Sequence, residues 1–227
     1  MRFSLPALCR CFGLAVLIGG SKVAAAGAIS VRVTDLEGAA VPEVAIVAKA
    51  LTTLADQGAV VGPRSIPEMN QHDLAFHPHV LVVTVGTTVR FPNDDDVRHH
   101  VYSFSDAKRF DMTIDSGATN VKELVFDRPG LVTLGCNIHD DMLAYVLVVE
   151  TEHFGKTDST GSVQLQNLPA GSYELSIWTP RLAAKHLPAS SIVEFEVGQT
   201  IEREFRLERK LYPAHQHSDT SLLWRAY

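Results

Sequence analysis

Residues 130–149, GLVTLGCNIHDDMLAYVLVV, decide the fold assignment of this chain. The runs Leu131 to Leu134 and Leu143 to Val149 are short and rich in aliphatic and β-branched residues, which favours strands. Between them, Gly135 to Met142 contains the spacing Cys-x2-His-x2-Met. A loop this short can aim a thiolate, an imidazole and a thioether at one point. The stretch therefore predicts two strands joined by a metal-binding loop.

The three donor types in this loop indicate copper. Thiolate and thioether are soft ligands that suit Cu(I), and imidazole suits copper in both oxidation states. Zinc is the nearest alternative, although it gains little from a thioether. A second histidine is available in FPNDDDVRHHV, residues 91–101, at the start of another predicted strand. Adjacent strand residues point to opposite faces, so His99 and His100 are not expected to bind the same ion.

The rest of the chain repeats the strand pattern. Apolar residues alternate in short runs bounded by Gly, Pro, Asn and Asp, and no stretch sustains a helical period over twelve residues, which predicts an all-β chain. We assign residues 27–150 to a first β-domain, within which 51–75 is an uncertain insertion or connection. The strand pair predicted within Ile29 to Ala48 could belong to either domain. The strand pattern restarts in residues 151–209, which predicts a small second β-sandwich. Residues 210–227 form a C-terminal tail.

The first 26 residues have the features of a secretory signal peptide. They combine two arginines, an apolar run too short to span a bilayer and the small residues Val23 to Ala26. We expect export to the periplasm, with secretion as the second choice, and no membrane span in the mature chain. Removal of the signal would take Cys9 and Cys11 with it, which would leave Cys136 without an intramolecular partner for a disulfide.

Composition argues against a polyanionic partner. The sequence has 20 Lys and Arg against 26 Asp and Glu, a formal charge of −6, and its basic residues are scattered rather than clustered. A nucleic-acid-binding protein is expected to carry a basic patch or stripe. We therefore expect no nucleic-acid partner.

These motifs resemble those of the cupredoxins, in particular the plastocyanin- and amicyanin-like members and the methylamine utilisation protein-like family. The resemblance rests on the Asn93-x5-His99 spacing, on HHVYSFS in residues 99–105 and on GCNIHD in residues 135–140. It implies a Greek-key β-sandwich that holds one type 1 copper ion and exchanges single electrons with a redox protein, without enzymatic activity. The copper ligands implied by the resemblance are His99, Cys136, His139 and Met142.

Two positions depart from the cupredoxin pattern. Cupredoxins usually place Asn after the first histidine ligand and Ser or Thr after the cysteine, whereas this chain has His100 and Asn137. An imidazole and a carboxamide can still share a hydrogen bond. We therefore hypothesise that the two side chains bond to each other and orient Cys136. Whether His100 takes the place of His99 as a ligand stays open at this point.

The second β-domain resembles a carboxypeptidase-regulatory-like β-sandwich. The resemblance rests on the turn DSTG, residues 158–161, and on LPAGSY, residues 168–173. Nothing in it resembles catalytic machinery, so we interpret it as a structural or docking module. Two alternatives to an electron carrier remain: a copper-binding or delivery protein without redox cycling, and a structural β-sandwich interaction protein.

Overall fold

The computed structural model describes residues 27–53, 66–117 and 121–214. The predicted signal peptide, residues 54–65 of the predicted connection and residues 215–227 of the predicted tail lie outside these ranges. The strands, in chain order, are β1 (Gly27–Thr34), β2 (Ala45–Thr53), β3 (Asn70–His72), β4 (Ala75–His77), β5 (Val80–Thr84), β6 (Thr87–Phe91), β7 (His99–Ser105), β8 (Lys108–Ile114), β9 (Lys122–Phe126), β10 (Gly130–Cys136), β11 (Leu143–Val149), β12 (Phe154–Lys156), β13 (Ser162–Leu168), β14 (Gly171–Trp178), β15 (Ser191–Phe195) and β16 (Thr200–Arg206).

The prediction of an all-β chain is confirmed. Within the described ranges, a 3₁₀ turn over Ala184–His186 is the one helical element. It is far too short to cross a membrane, and the described residues include no long apolar helix.

Strands β3 to β11 form the first sandwich. Its main sheet has the order β5-β11-β10-β7-β8, in which β5 runs parallel to β11 and the other neighbours are antiparallel. The hairpin β3–β4 and the pair β6–β9 complete this sandwich. Buried apolar side chains between Met69 and Val148 form one continuous core. The segment 51–75, predicted as an uncertain insertion or connection, includes the end of β2, all of β3 and the first residue of β4, and the hairpin β3–β4 belongs to this sandwich.

Period-two alternation sets which side chains reach that core. In β10, Val132, Leu134 and Cys136 are buried, whereas their neighbours along the strand are partly or fully exposed. In β7, His99 and Val101 face the same interior. Because β7 and β10 are adjacent, with Cys136 paired to Val101, the alternation directs Cys136 and His99 toward one end of the core.

The second sandwich contains the first two strands of the chain. One sheet has the order β13-β1-β16 and the other has the order β12-β2-β14-β15. The structure places β1 and β2 in the second sandwich, whereas the proposed domain boundary put them in residues 27–150 and the sequence left open which domain the pair joins. The reason is that β1 and β2 bury their alternating apolar face in a separate core, which runs from Ile29 to Leu207.

The two sandwiches touch at a small set of side chains. The rings of Tyr145 on β11 and Trp178 on β14 meet edge to face, with centroids 5.4 Å apart. An exposed ion pair joins Lys49 Nζ to Glu150 Oε2 at 2.8 Å. Each sandwich keeps its own apolar core, and the metal-ligand motif lies in the first of them.

Candidate metal centre

Cys136 ends β10 and lies on the buried face of that strand. It is 4% exposed and belongs to the apolar core of the first sandwich. Gly135, directly before it, packs against an aromatic ring: a Cβ at Gly135 would lie 2.9 Å from Cζ of Tyr102. Gly135 and Tyr102 are cross-strand partners, so a glycine here leaves room for the Tyr102 ring to lie against β10, directly beside Cys136.

His99 begins β7 and is fully buried. Its Nδ1 atom lies 3.8 Å from Cys136 Sγ. His139 lies in the loop after β10, is partly exposed, and places its own Nδ1 atom 3.8 Å from the same sulfur. The two imidazole centroids are 5.1 Å apart and their planes are tilted by 61°. One sulfur and two imidazole nitrogens therefore converge, all within 4.8 Å of one another.

Backbone hydrogen bonds hold the loop from Cys136 to Met142 in a closed shape. The N–H of Met142 donates to the carbonyl of His139 at 3.1 Å, and the N–H of Cys136 donates to the carbonyl of Met142 at 3.3 Å. Met142 itself is 1% exposed and packs in the same apolar core as Cys136. The four predicted ligand residues thus form one cluster that could bind a single copper ion.

The distances within the cluster fit one ion. A metal bonds cysteine sulfur at about 2.3 Å and histidine nitrogen at about 2.0–2.1 Å in zinc sites, so two such donors of one ion lie less than about 4.4 Å apart. Both sulfur–nitrogen separations, at 3.8 Å, meet that condition. The donor set of one thiolate, two imidazoles and a buried thioether is the set of a blue-copper site. The residues present therefore fit copper better than zinc.

The surroundings of Cys136 favour its thiolate. Burial alone would raise the pKa of this thiol, but hydrogen bonds outweigh burial and lower the pKa from 9.0 to about 6. The donors, in order of effect, are the ring of His99, the N–H groups of Ile138 and His100, and the ring of His139. A thiolate is the form of cysteine that binds metals. The site is thus electrostatically prepared for a cation.

We expect Cys136 of the metal-free protein to ionise with a midpoint near pH 6. Because this pKa lies below the ordinary value of 9.0, the thiolate prevails at neutral pH and the proton returns only as the pH falls through about 6. Copper must displace that proton, so Cys136 alone should weaken the apparent affinity by about tenfold per pH unit below pH 6, in addition to the effect of the proton on His99, whose pKa is above 6.5. Ultraviolet absorbance of the thiolate, with Cys136→Ser as the baseline, measures the midpoint. A midpoint near pH 9 would contradict this prediction.

The second ring nitrogen of His99 is bonded to a carboxylate that sequence reasoning missed. His99 Nε2 lies 2.8 Å from Asp95 Oδ2, and the two side chains are 0% and 11% exposed. Burial lowers the pKa of His99, but its hydrogen bonds with Cys136 and Asp95 outweigh burial and leave that pKa above 6.5. No local pattern in the sequence distinguishes Asp95 from the adjacent Asp94 and Asp96.

His100 points away from the cluster. Its Nε2 atom lies 2.6 Å from Asp111 Oδ1 on β8, outside the buried core. The hypothesised side-chain bond between His100 and Asn137 is therefore replaced by a backbone one, in which the N–H of Asn137 donates to the carbonyl of His100 at 3.0 Å. The alternation of β7 explains this, because His99 takes the inward position. Of the two adjacent histidines, the structure brings His99 to Cys136.

Several solved structures are similar to part of this chain, whereas no protein-family model and no curated protein matches it. A purple cupredoxin from Nitrosopumilus maritimus is 26% identical, with 36% of this chain and 96% of that protein covered and a TM-score of 0.31. An amicyanin from Paracoccus versutus is 15% identical, with 44% and 99% covered and a TM-score of 0.34. A copper-containing nitrite reductase from Thermus scotoductus SA-01 is 24% identical, with 44% and 26% covered and a TM-score of 0.35.

The purple cupredoxin and the amicyanin belong to the class that the sequence motifs resemble. Each likeness covers less than half of this chain. The chain spans about a quarter of the nitrite reductase and nearly all of the other two proteins.

Proposed function

We propose that this protein is an exported type 1 copper protein that carries single electrons between redox partners. The observation that carries the proposal is the convergence of His99 Nδ1, Cys136 Sγ and His139 Nδ1 within 4.8 Å of one another. Met142, buried beside them, is the proposed axial ligand. When bound, copper would supply a one-electron couple between its Cu(I) and Cu(II) states.

The residues around the site provide the rigidity that an electron carrier requires. The closed backbone loop fixes His139 and Met142 relative to Cys136, and the apolar core excludes water from Cys136 and His99. A protein that holds its ligands in one arrangement has little structure to reorganise when the charge of the site changes. This favours electron transfer over metal delivery, in which the ligands must release the ion.

The partly exposed edge of His139 is the proposed point of electron exchange. Ile138 beside it is 52% exposed, and Asp140 and Asp141 are also exposed. An apolar residue next to the exit point suits close contact, and acidic residues at the rim mainly affect the rate of association and its dependence on salt. We infer a redox protein partner with a complementary surface, bound in a small and transient complex.

The exported location and the lack of enzymatic activity are parts of this proposal. The periplasm is proposed from the N-terminal sequence, in which an apolar run precedes small residues. A chain that only passes electrons needs no substrate pocket. In this proposal the first sandwich positions the copper-binding side chains.

Visible absorption of the purified protein after addition of copper(II) tests the proposed function. We expect an intense thiolate-to-copper band that ascorbate bleaches and reoxidation restores. Rapid loss of the copper to a chelator would favour a delivery protein, and tight binding of a colourless ion would favour zinc. Absence of any bound metal would favour a structural β-sandwich. Each of these three results would contradict the electron carrier.

Replacing Met142 by leucine should raise the reduction potential. Leucine fills a similar buried volume but removes one donor to the copper. Loss of an electron-donating axial ligand destabilises the more positive Cu(II) more than Cu(I), which raises the potential. A tenfold change in the ratio of Cu(II) to Cu(I) affinity would correspond to about 59 mV, and we expect a rise of this order. Potentiometric titration of the visible band measures it, with Met69→Leu, which alters another fully buried methionine of the same core, as the control. An unchanged potential in Met142→Leu would remove Met142 from the ligand set.

A further inference from the structure

Asp95 is the one carboxylate bonded to a proposed ligand among the residues that the structure describes. Its Oδ2 atom lies 2.8 Å from Nε2 of His99, on the opposite side of the imidazole from Cys136. With an acceptor at this distance, Nε2 keeps its hydrogen and donates a hydrogen bond to the carboxylate. Nδ1 faces the sulfur, donates to it in the metal-free protein, and is the ring nitrogen that can exchange its hydrogen for a metal.

The position of Asp95 is itself fixed by two other elements. The N–H of Leu74, at the turn of the β3–β4 hairpin, donates to the same Oδ2 atom at 3.1 Å. The N–H of Asp95 donates to Oδ1 of Asn93 at 3.0 Å. Asn93 is 1% exposed, and its Nδ2 group donates to the carbonyl of Val97 at 2.8 Å. The carboxylate is therefore held in one orientation by the backbone around it.

Neighbouring acidic residues do not share these features. Asp94 and Asp96 are exposed, and the carboxylate of Asp94 bonds to Asn70 Nδ2 at 2.6 Å rather than to a histidine. Charges exposed to water are strongly screened, whereas a charge that is nearly buried acts through a lower dielectric. Of the three consecutive aspartates, Asp95 is the one placed to influence the cluster electrostatically.

We propose that Asp95 is a positioning residue that fixes the orientation of His99 and whose charge favours Cu(II) over Cu(I) at the neighbouring site. The positioning of His99 concerns the chain alone, whereas the effect of the charge on copper rests on the proposed function. A carboxylate on the far side of a metal-bound histidine increases the basicity of that ligand. Added negative charge stabilises the more positive ion, so Asp95 keeps the reduction potential lower than a neutral residue would.

Asp95→Asn separates charge from geometry, because an amide oxygen can still accept from His99 Nε2 and Leu74 N. We expect the visible band of the copper protein to persist and the ratio of Cu(II) to Cu(I) affinity to fall by about tenfold, which raises the reduction potential by about 59 mV. Asp96→Asn removes the same formal charge one residue away at an exposed position and should leave the potential unchanged. Equal shifts in the two variants, or no shift in Asp95→Asn, would overturn the electrostatic role.

Asp95→Ala tests the positioning role without copper. In the metal-free wild-type protein we expect nuclear magnetic resonance to detect a slowly exchanging Nε2–H proton on His99, and Asp95→Ala should lose it while Asp96→Asn keeps it. Persistence of this proton in a folded Asp95→Ala protein would overturn the positioning role. This result does not depend on copper, whereas failure of the wild-type protein to form a coloured copper complex would contradict the proposed function instead.

Discussion

Cys136→Ser is expected to abolish the visible band of the copper-loaded protein and to weaken copper binding by more than about 100-fold. Loss of a hydrogen-bond partner of a ligand typically costs up to about 100-fold in metal affinity, and loss of the thiolate itself should cost more. Serine is close in size to cysteine, so the nearly closed site, where Cys136 is 4% exposed, should keep its packing. A neutral hydroxyl cannot replace a thiolate whose pKa the site lowers to about 6.

Asn137→Ser is the matched control for this variant. Asn137 is the next residue in the same loop, its side chain is exposed, and its structural contribution is a backbone N–H bond to the carbonyl of His100. Serine keeps that N–H, so the band and the affinity should be retained. Copper titration followed by absorption, with circular dichroism to verify the fold, gives both measurements. A coloured copper complex in Cys136→Ser would remove the sulfur from the site.

Ile29→Ala should destabilise the second sandwich by about 2–5 kcal/mol and leave the copper site intact. Ile29 is fully buried in the central strand β1, where it pairs with Leu165 on one side and Ile201 on the other. Its side chain packs in the second core, which is separate from the core around Cys136. Truncation to alanine therefore opens a cavity in one sandwich alone.

Urea unfolding with two probes distinguishes the two sandwiches. Fluorescence of Trp178 on β14, measured for all variants in a Trp224→Phe background, follows the second sandwich, and the copper band follows the first. Ile29→Ala should shift the fluorescence transition to lower urea concentration. Val132→Ala, in the first core, should shift the copper transition instead. Arg32→Ala, at an exposed position of β1, should change the free energy of unfolding from either transition by less than about 0.5 kcal/mol. If Ile29→Ala shifted the copper transition as far as the fluorescence transition, the assignment of β1 to a separate core would be wrong.

The strands and the ligand motif could be predicted because both depend on local patterns. Alternation from Leu131 to Val149 indicated two strands, and the spacing of Cys136, His139 and Met142 indicated a shared loop. The choice between two adjacent histidines also follows from strand alternation, although it required the observed start of β7 at His99 to be decided.

Strand partners and the carboxylate could not be predicted because both depend on contacts that local sequence does not encode. The alternation of Ile29 to Val33 shows that one face is buried, but it does not specify the core that receives it. Likewise, three consecutive aspartates give no sign of which one turns inward. Asp95 does so because Asn93 and the turn at Leu74 orient it, and these contacts exist only once the hairpin β3–β4 is in place.

The pairing of β1 with β16 has a consequence for the order in which the chain can fold. The ends of these strands are joined by a hydrogen bond from Thr34 Oγ1 to Glu204 Oε1, across 170 positions of sequence. Residues 66–149 need no later segment to complete their sheets, whereas β1 must wait for the last strand to arrive. Closing so long a loop carries an entropic cost and slows folding. We therefore expect that the ligand-bearing sandwich can form before β16 pairs with β1 and completes the second sandwich.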